Sequence, residues 1–210
     1  MAVTTSIKEL TLTEASEIVS YGGAYVDLRD IDRYLDVHIH GSFALEYERG
    51  PGMPVRARDC IPLDIPFVLL DEGEQDLRQV AATLRGKGFT VAGSLPGGVR
   101  TWGEARGAPA STEVHEGSTP PSGTVLMVGD PGAPVADAAT VIPIESLYRR
   151  TDELQRAGSL VIAAGRGVRA ALAVGILERA EIEDVRFWRS ASWHHKVFGK
   201  AGVVRHEPGR

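Results

Sequence analysis

One unit constrains this chain more than any other, and it occurs twice. A short apolar run enters a glycine- or acid-rich turn and leaves it as a helix-forming segment. FVLLDEGEQDLRQVAATLRGKGF aligns with LVIAAGRGVRAALAVGILERAEI, placing Asp71 over Ala164 and Asp76 over Arg169. The runs at 67–70 and 160–163 have the length and composition of buried strands. After the first turn, Leu77, Val80, Ala81 and Leu84 fall at helical spacing; after the second comes an alanine-rich segment from Arg169 to Ala180. Strands alternating with helices at this spacing argue for a parallel α/β sheet in each half.

The elements around each unit follow the same order. In the first half a helix capped by Thr11 or Thr13 stops at Gly22 and Gly23. A strand over 24–28, a short helix over 31–37 and a second strand carrying Ile39, Phe43 and Leu45 follow. Residues 46–66, rich in Gly, Pro and Arg, show no periodicity and read as a connection. A strand over 89–92 and a short helix after LPGGVRTW complete the half. The second half predicts strands over 124–128 and 141–144, a helix over 145–157, and a last strand over 185–188. Residues between the halves, GAPASTEVHEGSTPPSG, have the composition of a flexible linker. The expected organisation is a first domain over 1–107, a linker over 108–123 and a reduced second domain over 124–210.

Composition limits the function. With 43% apolar and 24% charged residues, the 210-residue chain can bury a core. Its net charge of -5 offers no general attraction to nucleic acid or to an anionic membrane. No apolar run approaches the ~20 residues of a membrane span, and MAVTTSIKEL has no signal-peptide pattern. The single cysteine, Cys60, excludes an intrachain disulfide. A soluble, cytoplasmic protein is expected.

YVDLRD, VHIHGSF, the turn-and-helix unit and LPGGVRTW together resemble the rhodanese (sulfurtransferase) family, over roughly residues 8–105. From about 124 to 195 the resemblance returns in weaker form: MVGD stands for the early Asp–x–Arg, and ADAAT precedes VIPI. The resemblance implies two rhodanese-like α/β domains in tandem, each a mainly parallel sheet flanked by helices. It also implies a cysteine at the first position of each six-residue loop, whose thiolate would carry sulfane sulfur. Those positions are Asp71 and Ala164, and neither can hold a persulfide.

The two loops depart differently. Asp71, Glu72, Glu74 and Asp76 fill the first with carboxylates and no basic residue before Arg78, which repels an anionic donor. A solvated loop stabilised by the helix dipole is expected there. The second loop, Ala164, Gly165, Arg166, Gly167, Val168 and Arg169, keeps glycines and two arginines at a helix N-terminus, a geometry suited to an anion. Its two readings are an anion or acidic-partner site and a relic turn.

Elsewhere, His38 and His40 alternate but lack companions at metal-ligand spacing, and Asp27 and Arg29 read as ties at a strand end. His194, His195 and Lys196 read as a polar end, and Trp188 and Trp193 as core or interface residues. No cofactor and no metal is expected. The function read from the sequence is a pseudoenzyme related to sulfur metabolism, an anion-binding or protein-interaction module. The alternatives are a sulfurtransferase using Cys60 or a partner's cysteine, and a purely structural tandem. Partners left open are a small oxyanion, an acidic protein and a second copy in a homo-oligomer.

Overall fold

The computed structural model describes residues 7–47, 50 and 52–189. The first half contains α1 (Leu12–Ser20), β1 (Ala24–Asp27), α2 (Ile31–Asp36), β2 (Phe43–Ala44), α3 (Gly52–Cys60), β3 (Phe67–Asp71), α4 (Leu77–Gly86), β4 (Val91–Pro96) and α5 (Gly98–Arg106). Then come β5 (Val114–Glu116), β6 (Thr124–Met127), β7 (Thr140–Val141), α6 (Ile144–Leu147), a 3-10 turn (Thr151–Leu154), β8 (Leu160–Ala164), α7 (Val168–Arg179) and β9 (Val185–Arg189). The strands form two parallel sheets, ordered β2-β1-β3-β4 and β5-β9-β8-β6-β7. The expected α/β class with two helix-flanked parallel sheets is what the chain adopts.

Alternation along the strands sorts side chains between faces. Val26, Phe67 and Leu69 of the first sheet and Leu126, Leu160 and Ile162 of the second join one apolar core. Tyr25, Val68 and Leu70 turn to the opposite face, where they meet Ala15 of α1 and Val99 of α5. Helix α7 lies within the shared core, touching β2 and α2 as well as β8 and β9. Every residue from Ala170 to Glu178 is buried, so the helix is apolar all round rather than on one stripe. At Gly175 a Cβ would strike the Ser42 carbonyl oxygen, so only glycine lets α7 come this close to the first half.

Several expectations are corrected. The stretch read as a connection over 46–66 holds α3, whose Met53, Ala57 and Cys60 are buried on one face. Pro54 sits in its first turn, where a missing N–H leaves no helical bond unmade. The segment read as a flexible linker is tied down on both sides. His38 and Ala110 exchange backbone bonds of 2.9 and 2.8 Å, Thr112 donates to Leu35, and β5 pairs with β9 as an edge of the second sheet. The helix expected over 145–157 is two short pieces, because between Leu147 and Leu154 only the half-buried Tyr148 offers apolar surface. The strand expected over 89–92 runs from Val91 to Pro96, and residues 8–10 bond alongside it at Ser94.

Candidate functional site

In the second half the sequence-predicted loop is assembled as expected: Ala164 ends β8, Gly167 at φ 95° turns the chain, and α7 starts at Val168. Its donors are already taken. The carboxylate of Asp130, only 4% exposed, lies at the helix N-terminus. One oxygen accepts from Gly165 N and Gly167 N, both at 2.8 Å; the other accepts from Arg169 N at 2.8 Å and Ala170 N at 3.4 Å. These charge-assisted bonds and the helix dipole hold a carboxylate that belongs to the chain itself. Pro131–Ala133 closes the loop from above. A Cβ on Gly165 would overlap the Pro131 carbonyl oxygen, which also accepts from Arg166 N at 3.2 Å. The Arg169 guanidinium turns away to the Gly129 carbonyl at 3.0 Å and to Glu145 at 3.5 Å. The open cradle predicted over Ala164–Arg169 is therefore corrected to a filled one.

The first loop is closed by other means. Asp76 caps α4, accepting from Arg78 N and Gln79 N at 3.1 and 3.3 Å. Asp71 accepts from Gly73 N at 2.9 Å. Arg33, brought from α2, holds both oxygens of Glu74 at 2.7 Å and Glu72 at 3.0 Å, and Arg29 stands 3.8 Å from Glu72. The expected solvated acidic loop is thus half neutralised by arginines about forty residues upstream. A cavity of about 530 Å³ remains at its mouth, lined by Asp71, Glu72, Gly73, Gly97 and Arg100.

Cys60 is buried at the end of α3, yet it borders a cavity of about 330 Å³ that Arg169 and Glu145 also line. Burial, then the negative charges of Glu145 and Asp59, push its thiol up to about 12. It is a neutral thiol at physiological pH.

The remaining candidates separate. His38 is fully buried, stacked on Tyr34 at 4.3 Å between ring centroids, while His40 is exposed. Among the described residues no group of three or more ligating side chains could hold a metal ion. Asp27 and Arg29 form a buried pair at 2.6 Å, and the same guanidinium nitrogen donates to the Val37 carbonyl. Trp188 is in the core; Trp193, His194, His195 and Lys196 lie outside the described residues.

Two parallel sheets, each with a strand–loop–helix unit at the carboxyl end of a central strand, are now on view beside YVDLRD and its buried Asp27–Arg29 pair. The chain is similar in fold to rhodanese-like proteins. Among solved structures, a rhodanese-like domain from Anabaena sp. is 23% identical over 49% of this chain and 78% of its own, with a TM-score of 0.38. SseA from Escherichia coli, described as a 3-mercaptopyruvate sulfotransferase, is 14% identical over 88% of this chain and 98% of its own, with a TM-score of 0.40. A thiosulfate sulfurtransferase from Pseudomonas aeruginosa is 15% identical over 87% of this chain and 43% of its own, with a TM-score of 0.38. No protein-family profile and no curated protein matches the chain. Among the described residues no helix is long and apolar enough to cross a membrane.

The loop is visible in the sequence, whereas the parts of Asp130, Arg33 and Glu145 come from the fold. For Asp130 the sequence does hold a signal, since MVGD places an acid just past a strand that neighbours the loop strand.

Proposed function

We propose that this chain is a catalytically inactive rhodanese-like protein that works as a protein-interaction module. One observation carries the reading. The two positions where the family resemblance puts a sulfur-carrying cysteine hold Asp71 and Ala164, and the helix N-terminus behind each is occupied by an internal carboxylate, Asp76 or Asp130. A sulfur-transfer step needs a thiolate nucleophile with free N–H donors for the anionic donor. Neither loop supplies both. The committed donors weigh against capture of a small oxyanion at either helix N-terminus.

A second reading, a sulfurtransferase that uses Cys60, draws support from the cavity that Cys60 shares with Arg169. Burial of the thiol weighs against it. One experiment separates the two: thiosulfate:cyanide sulfur transfer measured on the wild type and on Cys60→Ser. Both proteins are expected to stay at background. Turnover that disappears in Cys60→Ser would replace the first reading with the second.

A further inference from the structure

Helices α1 and α5 cover the outer face of the first sheet without closing over it completely. Between them lies a groove of about 560 Å³, within the range of small-molecule sites. Tyr25 of β1 and Ile39, 4% and 3% exposed, form its floor. Val19 of α1 and the half-buried Trp102 of α5 form its walls. The groove shares no lining residue with either loop. It belongs to the first half alone: no helix lies between β5 and β6, so the wall that α1 supplies has no counterpart in the second.

The polar groups of the groove are few. At the floor the Tyr25 hydroxyl lies 3.3 Å from Ser16 Oγ, and burial pushes its phenol up, so it is a neutral hydrogen-bonding group at physiological pH. At the rim stand the exposed side chains of Arg106, His40 and Glu17. The Arg106 guanidinium makes no ion pair or hydrogen bond with any described residue, although its charge reaches the Tyr25 hydroxyl. The Trp102 indole N–H likewise has no acceptor among the described residues.

An aromatic, apolar floor beside an uncommitted cation fits a ligand with an apolar body and one anionic end. A flat ring gains most from Trp102 and Tyr25, since aromatic pairs attract beyond the area they bury. The guanidinium offers a carboxylate its planar fork of donors. Glu17, at the same rim, disfavours a second negative charge. We propose that this groove binds a small aromatic monocarboxylate, with its ring against Trp102 and Tyr25 and its carboxylate on Arg106. This site goes beyond the inactive loops and does not depend on how they are read.

Three probes of one shape and different charge test it on the full chain: hydrocinnamate, hydrocinnamamide and phenylpropylamine. The indole N–H signals of nitrogen-15-labelled protein report on the groove, and Trp102→Phe identifies the one that belongs to Trp102. Hydrocinnamate is expected to shift that signal saturably and to bind about tenfold tighter than the amide. Arg106→Ala changes an exposed side chain and should leave the fold intact. It should weaken hydrocinnamate about tenfold and leave the amide unchanged, a selectivity that a merely structural role would not produce. No saturable shift of the Trp102 signal with hydrocinnamate would overturn the proposal. Equal affinities for the carboxylate and the amide would do the same, as would a preference for the amine or an Arg106→Ala loss shared equally by carboxylate and amide. Sulfur transfer by the wild type bears on the loops and leaves this result standing.

Discussion

His38 and Glu178, 140 residues apart in sequence, meet as a buried pair between the two halves, with Nε2 2.9 Å from Oε1. The other carboxylate oxygen accepts the Gly41 N–H at 2.7 Å, and the histidine's Nδ1 lies 2.8 Å from the Tyr34 carbonyl. One glutamate on α7 thus fixes the turn that leads into β2, and it does so one turn from Gly175, where a Cβ would strike the Ser42 carbonyl oxygen.

Glu178→Ala is expected to destabilise the whole chain by about 3–5 kcal/mol, because it strands a buried histidine and a buried N–H together. Glu178→Gln should cost less, since its amide oxygen can still serve Gly41. Urea denaturation followed by tryptophan fluorescence measures both. A loss below about 1 kcal/mol for the alanine variant would mean the pair contributes little to joining the halves.

Ala164→Cys should not create a reactive thiol. The sequence alone predicts an activated cysteine there, favoured by free N–H groups and two arginines. In the structure Ala164 is fully buried, the next N–H belongs to Asp130, and Arg169 faces Gly129. Burial and a neighbouring carboxylate both disfavour a thiolate. Iodoacetamide should label position 164 more slowly in the folded protein than in urea, and faster labelling when folded would restore the open-cradle reading.

Arg33→Ala should loosen the first loop with little change in global stability. Arg33 is a partly exposed side chain, so its loss should cost about 1 kcal/mol or less. Glu72 and Glu74 would lose their main partner. Hydrogen exchange over residues 72–75 is expected to speed up while the β3 core stays protected; unchanged exchange would show that the ion pairs do not hold the loop.

Cys60 should make the protein alkali-sensitive. Its folded thiol titrates at about 12 against an ordinary value of 9.0. Between those values the unfolded chain releases a proton that the folded chain keeps, so this contribution to stability is full below pH 9 and is lost as pH rises toward 12. Cys60→Ala should flatten that part of the stability curve, read from melts between pH 8 and 11. An identical alkaline slope in both proteins would contradict the assignment.

Much of the fold was legible because its signals are local. The apolar runs at Phe67–Leu70 and Leu160–Ala163 and the helical spacing of Leu77, Val80, Ala81 and Leu84 needed no partners to be read. Thr11 and Glu14 form the expected kind of cap, each bonding the other's backbone or side chain at the start of α1. What escaped was decided by pairing across the chain. Val114–Glu116 became a strand because β9 offered it an edge, and its own composition says only turn and linker. Arg33 reached the first loop, and Asp130 the second, from positions about forty residues away. No periodicity reports such a meeting.

The burial of α7 has a further consequence for any attempt to divide the molecule. A domain with its own hydrophobic core can in principle fold alone. Here the helix that belongs to the second repeat serves as inner wall to the first, and the segment between them is stitched to both. A cut anywhere from 107 to 123 would leave one fragment missing part of its lining and the other holding an oily rod in water. The repeat is duplicated in pattern and single in substance.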